Sequence, residues 1–339
     1  MNYAREKQRI LLDAAAERMD EKTVRICWQS AENAEVTVYA SESPGFFDRT
    51  KQVGRSSDGC VQVNGLDPLA RHYFFLETQG DCMVVAERRV WMDGSVNFRD
   101  LGGYKTAEGL RVKWGRVFRA DGLSRLSDRD LKRLNNMGIS RVYDFRTASE
   151  MEGAFDRLPE DGSITHIHLP VSHGRFDFAE AMERLKNGDT EWLTADFMVK
   201  GYIRNLENYP ETWASVIRDL AWPDGGESSV FHCTGGKDRT GTCAALILLA
   251  LGVPEETVID DHQLSNIYIA RLLPRLYRQM ERAGVDPEAL FPYLTAPRQC
   301  IVAVVDYILE NYGTALDYLI KRAGIKDEEL AFFRLNLLE

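Results

Sequence analysis

The chain has 339 residues, 44% of them hydrophobic and 28% charged, with a formal net charge of −10 at pH 7. That length suggests two domains more readily than one, and the acidic balance argues against non-specific binding to nucleic acid or to an anionic membrane. A local basic pocket can still take an anionic substrate. No apolar run reaches the roughly 18 residues of a membrane span, and the N-terminal stretch has too short an apolar patch for a signal peptide. The six cysteines stand without a framework spacing. A reducing, cytoplasmic setting is therefore expected, with export by a route lacking a visible signal left open.

Residues 1–92 read as an all-β accessory domain. Val24, Ile26 and Trp28 alternate, as do Val36 and Val38, Val61 and Val63, Tyr73 and Phe75, and Val84 and Ala86. Turn signals separate these runs at Ser43–Gly45, Ser57–Gly59, Asn64–Pro68 and Gln79–Asp81. Short strands at this spacing predict an antiparallel sandwich. The stretch NGLDPLARHYFFLET resembles the end of a fibronectin type III-like module. Such a domain would position the rest of the chain on partners, cover part of a pocket, or simply stabilise it.

Trp91–Gly94 marks the junction, and residues 93–339 form the second expected domain. NFRDLGGY, at Asn97–Tyr104, carries Arg99 and Asp100, either as pocket residues or as a pair fixing a loop. Val117–Arg119 predicts a strand. Ser127–Met137 predicts a helix capped by Ser127 and Asp130 and stopped at Gly138. A strand over Ser140–Phe145 delivers Asp144 and Arg146 to the edge where α/β proteins place their chemistry. Asp144 is thus either an active-site carboxylate or a structural one. Ile164–Val171 predicts a strand with His166 and His168 on one face, followed by His173. No carboxylate or cysteine stands at a supporting spacing, so no metal or other cofactor is expected. Arg175–Leu220 reads as a helical insert that flanks the sheet or covers the pocket as a lid. Trp222–Pro223–Asp224 spells a known general-acid loop. At about 3.3 Å per strand residue, however, Asp224 falls roughly 20–30 Å from Cys233, and the segment reads as a turn.

The stretch FHCTGGKDRTG, Phe231–Gly241, organises the domain. A buried strand ends at Phe231, a glycine-containing loop follows, and the apolar helix TGTCAALILLA begins. That arrangement aims backbone N–H groups and a helix N-terminus at one point, which suits an anion. A cysteine at such a point is favoured as its nucleophilic thiolate. Arg239 closes the loop and can clamp the same anion with two N–H groups. Nucleophile, oxyanion cradle and arginine clamp together indicate cysteine-dependent phosphoryl transfer. The spacing alone is weak: Cys82 and Arg88 repeat it around an apolar, glycine-free segment that cannot curl around a phosphate.

HCTGGKDRTG resembles the loop of bacterial phosphatases of the cysteine-based protein-tyrosine phosphatase superfamily, some of which also act on phosphoinositides. NFRDLGGY, VYDFRTASE at Val142–Glu150 and DHQLSN at Asp261–Asn266 fit the same resemblance in order. It implies a central, mostly parallel α/β sheet flanked by helices, and a phosphocysteine formed on Cys233. It also implies substrate binding by Thr234, Gly235, Gly236, Lys237, Arg239 and Thr240. Asp238 is the first candidate acid, with Asp144 second and Asp100 third, and Arg99 lies near the site. Thr240 would stabilise the departing thiolate, and His232 would support the loop. Lys237 suggests a second phosphate on the substrate, as in phosphoinositides. The expected partner is a phosphorylated protein or a phosphoinositide. Two other readings compete: a looped-cysteine sulfurtransferase or arsenate reductase, for which Cys243 would have to resolve, and a catalytically weak module that only binds phosphorylated ligands.

Overall fold

The computed structural model describes residues 10–172, 183–189, 191–192, 194–222, 228–282 and 284–339. His173, the Pro223–Asp224 part of the turn and residues 175–182, 190 and 193 of the helical insert lie outside the described residues. The chain divides into two compact units, Met1–Val90 with Lys132–Met137, and Trp91–Leu131 with Gly138–Glu339.

The first unit holds two antiparallel sheets. One has the order β1 (Leu11–Asp20), β2 (Thr23–Ser30), β5 (Cys60–Val63). The other has the order β4 (Gln52–Ser56), β3 (Val36–Ser41), β6 (Tyr73–Thr78), β7 (Asp81–Ala86). The alternating residues Val24, Ile26 and Trp28 are buried, as are Val36 and Val38. β1 was not foreseen. Its sequence, LLDAAAERMD, is rich in helix-favouring residues, yet it pairs with β2 over most of its length, so pairing overrides propensity. Arg18 on β1 grips Glu87 with two N–H groups. Antiparallel pairing sets Cys27 opposite Cys60, and the two form a disulfide across 33 residues of sequence. This differs from the expectation of uniformly reduced cysteines, because cross-strand register is not visible in cysteine spacing.

The second unit is an α/β fold around a five-stranded sheet. Its order is β11 (Thr165–His168), β10 (Ile139–Asp144), β12 (Ser228–His232), β9 (Val117–Ala120), β8 (Arg99–Asp100). All neighbours run parallel except the short β8 on β9. α1 (Asp128–Asn136) starts as expected, with the Ser127 hydroxyl accepting from the Asp130 N–H and Asp130 accepting from the Ser127 N–H. α2 (Ala148–Met151) is a single turn after β10. α3 (Ala195–Asn208) and α4 (Pro210–Ala221) come from the insert. α5 (Asp238–Ala250) follows the loop after β12, and it is buried nearly all round because it threads the middle of the core. Phe145, Phe231, Trp213, Leu246, Ile301 and Phe333 belong to that core. α6 (Glu255–Ile269), α7 (Leu273–Arg282), α8 (Pro287–Leu294), α9 (Arg298–Tyr312), α10 (Ala315–Lys321) and α11 (Asp327–Leu337) complete the unit.

Candidate active site

β12 ends at His232 and α5 begins at Asp238, so Cys233–Lys237 form a loop between a central strand and a helix N-terminus. Cys233 is 1% exposed, and its Sγ accepts a hydrogen bond from the Thr240 hydroxyl at 3.1 Å. One turn into the helix, Thr240 is thereby placed directly on the sulfur.

The loop's carbonyls are held from behind. Gly122 N–H donates to the Thr234 carbonyl at 3.1 Å. Asn97 Nδ2 donates to the carbonyls of Gly235 and Gly236 at 3.1 and 3.0 Å, and Arg119 donates to that of Gly236 at 2.9 Å. In a trans peptide the next N–H points opposite to the carbonyl. The N–H groups of Gly235, Gly236 and Lys237 are therefore turned away from these anchors, as an anion cradle requires. Gly236 has φ +67°, and an added Cβ would meet the Ala120 carbonyl oxygen at 2.4 Å, so only glycine fits. At Gly235 an added Cβ would meet nothing tighter than the Lys237 side chain at 3.6 Å.

A fully buried layer anchors the anchors. Asp261 accepts from Arg119 at 2.6 Å, from Arg99 Nε at 3.2 Å and from the Tyr104 hydroxyl at 2.9 Å. Arg99 also donates to Asn97 Oδ1 at 2.5 Å and to Ser265 at 3.1 Å. Arg99 thus lies behind the loop rather than in the pocket, which corrects its expected substrate-binding place. Burial pulls the Arg119 guanidinium down to about 10, and the like charge of Arg99 adds to the effect.

Asp100, its neighbour on β8, points the other way by strand alternation. Its oxygens accept from the N–H groups of Gly102 and Gly115 at 2.7 and 2.9 Å. Asp100 fixes turns and does not join the cysteine. Asp144 is likewise fully buried and bound by the Arg146 fork at 2.7–3.1 Å. Burial pushes its carboxyl up, but the His166 imidazole 3.6 Å away and the Arg146 fork outweigh this and hold it well below the usual carboxylate range. A carboxylate locked in this way is a support, not a proton donor. Asp156, which the sequence did not single out, completes the cluster, accepting from Arg146 at 2.7 Å and from His232 Nε2 at 2.8 Å. Asp144, Asp156 and His232 come close enough for a cation, but the Arg146 guanidinium already spans both carboxylates. His166 Nε2 lies 3.6 Å from Asp144 and 3.3 Å from Asp156, and this pair, Asp144 first, lifts it to about 9.

Arg239 is 6% exposed. Its NH1 donates to Glu150 at 2.6 Å and to the carbonyls of Val171 and Phe145, and its NH2 donates to Glu150 at 2.6 Å. Among the described residues its Nε has no hydrogen-bond partner although it is buried. A buried, unpaired guanidinium N–H is costly, and an anionic oxygen beside the sulfur would satisfy it. Glu150 also accepts from the Thr234 hydroxyl at 2.6 Å. Burial raises the Glu150 carboxyl, but Arg239 and Thr234 outweigh burial and hold it at about 2. In the sequence Glu150 ends the stretch VYDFRTASE and carries no expected role of its own. The signal available was the Thr147–Glu150 pattern of a capping box, and Glu150 does accept from the Thr147 N–H at 2.9 Å.

Asp238 opens α5 with its side chain 14% exposed. It accepts from the Tyr202 hydroxyl at 2.6 Å and pairs with Lys237 Nζ at 3.1 Å. His262 Nε2 lies 2.9 Å from the same hydroxyl. Tyr202 gives its proton to Asp238, so His262 is the donor there, and Gln263 Nε2 donates to its Nδ1. Burial pulls His262 down to about 3, which keeps it neutral. Cys243 is buried one face away in α5, and burial pushes its thiol well up, so it is a poor resolving nucleophile.

The sequence pattern described as the tyrosine phosphatase family matches residues 90–339. A Cupriavidus necator protein with a provisional tyrosine-protein phosphatase name is 30% identical over 265 residues, spanning 77% of this chain and 90% of its own. The Mycobacterium tuberculosis triple specificity protein phosphatase PtpB is 27% identical over 283 residues, spanning 73% of this chain and 98% of its own. A Nostoc commune tyrosine-protein phosphatase is 28% identical over 148 residues, spanning 43% of this chain and 47% of its own.

Proposed function

The chain belongs to the tyrosine phosphatase family, and on that premise we propose that it hydrolyses phosphotyrosine-type monoesters through a phosphocysteine on Cys233. The observation that carries the reading is the Cys233 sulfur accepting from the Thr240 hydroxyl at 3.1 Å, in a loop whose Gly235 and Gly236 carbonyls are turned back onto Asn97 and Arg119. In the first step the Cys233 sulfur attacks phosphorus, an S–P bond forms and the P–O bond to the leaving group breaks. The loop N–H groups and Arg239 hold the non-bridging oxygens, where charge accumulates. Asp238, as the acid, gives its proton to the leaving oxygen. In the second step Asp238 takes a proton from water, the water oxygen attacks phosphorus and the S–P bond breaks. The Thr240 hydroxyl, already on the sulfur at 3.1 Å, stabilises the departing thiolate.

Phosphate release from para-nitrophenyl phosphate and a phosphotyrosine peptide tests this directly. Release that Cys233→Ser abolishes, and that Asp238→Asn slows mainly for poor leaving groups, supports it. Turnover retained in Cys233→Ser would sink it.

The first unit is read as a fibronectin type III-like accessory domain, supported by the strand orders β1-β2-β5 and β4-β3-β6-β7 of its two sheets. Among the described residues no helix is long and apolar enough to cross a membrane. The Cys27–Cys60 disulfide favours an oxidising setting over the cytoplasm. Counting free thiols in protein isolated from its native source under alkylation tests that: four free cysteines fit, and six return the cytoplasmic reading.

A further inference from the structure

The DHQLSN stretch, Asp261–Asn266, serves the loop in two ways. Asp261 and Ser265 hold the anchors behind it. His262, Gln263 and Asn266 belong to a second series of hydrogen bonds, which ends on Asp238.

The direction of that series is fixed from its far end. Asn266 Oδ1 accepts from the Ala296 N–H at 2.7 Å, and Asn266 Nδ2 donates to Gln263 Oε1 at 3.2 Å. Gln263 Nε2 donates to the Ala296 carbonyl at 3.0 Å, and as an amide nitrogen it can only donate to His262 Nδ1 at 3.2 Å. A neutral imidazole that accepts at Nδ1 carries its proton on Nε2. Nε2 therefore donates to the Tyr202 hydroxyl at 2.9 Å, and the hydroxyl donates to Asp238 Oδ1 at 2.6 Å. Burial, ahead of the charge of Asp238, pushes the Tyr202 hydroxyl well up, so it keeps its proton.

The series is built into the fold. Tyr202 and His262 are buried, and their rings meet edge to face with centres 5.8 Å apart. At Gly241, one turn into α5, an added Cβ would come within 2.7 Å of the imidazole Cδ2, so the helix forgoes a side chain where the ring lies. Tyr202 comes from α3 of the insert and His262 from α6, so two elements outside the loop converge on its carboxylate. Lys237 Nζ stands beside both carboxylate oxygens, 3.1 Å from Oδ2 and 3.4 Å from Oδ1, and so does not distinguish them. It also donates to the Tyr293 and Thr295 carbonyls at 2.5 and 2.9 Å. Its three donors are thus committed to the protein, which corrects its expected place as a substrate-binding cation.

We propose that Tyr202 and His262 are positioning residues for proton transfer, holding Asp238 by Oδ1 so that Oδ2 is the oxygen that gives and takes the proton. With Oδ1 occupied as an acceptor, the acid form carries its proton on Oδ2. That proton passes to the leaving oxygen as the P–O bond breaks, and a proton from water returns to Oδ2 as the S–P bond breaks. This inference rests on the phosphatase reading above.

The test uses the full-length protein with dinitrophenyl phosphate, whose leaving group departs without a proton, and phenyl phosphate, whose leaving group needs one. Tyr202→Phe keeps the buried ring and removes only the hydroxyl. Its kcat/KM for phenyl phosphate should fall by about tenfold, the scale of one hydrogen bond to a charged group. Its kcat/KM for dinitrophenyl phosphate should change by less than about twofold, with vanadate affinity unchanged. His262→Phe should move the ratio of the two substrates in the same direction by a smaller factor. That ratio is insensitive to the fraction of protein that folds. An equal fall on both substrates, with vanadate affinity falling too, would make the role structural and overturn the inference, as would an unchanged ratio in both variants. If Asp238→Asn also leaves the ratio unchanged, the acid lies elsewhere and the inference falls while the phosphocysteine reading stands. Wild type that releases phosphate from neither substrate would instead overturn the phosphatase reading, and the inference with it.

Discussion

The two faces of the Cys233–Arg239 loop are built from different kinds of sequence. The front face, with Cys233, Asp238, Arg239 and Thr240, comes from one unbroken run and presents groups to an anion. The back face, with Asn97, Arg99, Arg119, Asp261 and Ser265, is gathered from three distant segments and grips the loop through its carbonyls. The front carries the chemistry, whereas the back decides which way the peptides of the front are turned. Nothing in a cysteine-to-arginine spacing says that a loop needs such backing. The idle pair Cys82 and Arg88 shows what the spacing is without it: Cys82 lies on a paired edge of the β-rich unit.

The comparison breaks most sharply at the back. Asn97→Ala frees the carbonyls of Gly235 and Gly236, so the peptides that present N–H groups are no longer fixed. Loss of one oxyanion donor elsewhere costs on the order of 10²–10³ in kcat, and a fall of that size is expected here with vanadate affinity falling in parallel. A variant that keeps vanadate affinity while losing activity would show that the back does not orient the cradle. Arg119→Met adds a stability loss of roughly 3–5 kcal/mol, because it leaves Asp261 buried with one ion-pair partner fewer; urea unfolding reads it.

Next come the two glycines, which look equivalent in sequence. Gly236→Ala forces a Cβ into the Ala120 carbonyl at a backbone angle that side chains avoid, and a drop of about 2 kcal/mol or more is expected. Gly235→Ala has room and should cost under about 1 kcal/mol. Equal melting temperatures for the two variants would contradict the loop geometry.

Glu150 sharpens the comparison from the side, since it holds Arg239 without belonging to the loop. Its folded carboxyl lies near 2 and its ordinary value near 4.5. The stabilisation is therefore present above about 4.5 and is lost as pH falls toward 2. Glu150→Gln should melt lower than wild type at pH 7, by an amount on the order of 2–3 kcal/mol, and the gap should close through that acid window. A gap independent of pH would mean that the charge of Glu150 does not matter. The smallest effect is expected at His166, an exposed residue lifted to about 9. Its contribution is complete below about 6.5 and is lost as pH rises through 9. His166→Gln should therefore differ from wild type in melting temperature at pH 6 and converge with it above pH 9.

The same comparison explains what the sequence made legible. The strand–loop–helix around Cys233, the sheet strands at 117, 140 and 165, and the cap of α1 were all readable, because each is specified by residues within a few positions. For Arg99, Asp100 and Asp144 the sequence leaves a pocket role and a structural role open, and the partners that decide between them lie outside each motif. Strand alternation and ion pairing, neither local, send Arg99 behind the loop, Asp100 to a turn and Asp144 into the Arg146 fork. Lys237 looked like a free cation because the α8 carbonyls that consume it lie more than fifty residues on. The β1 strand and the Cys27–Cys60 disulfide were hidden for the same reason, since both depend on register with β2.

The most direct measurement is rapid acid quench of the full-length protein during turnover of a phosphotyrosine peptide, followed by mass spectrometry of the peptide containing Cys233. A phosphoryl adduct on Cys233, accumulating further in Asp238→Asn and absent in Cys233→Ser, is the predicted result. Turnover with no adduct on Cys233, or with the adduct on another residue, would contradict the account.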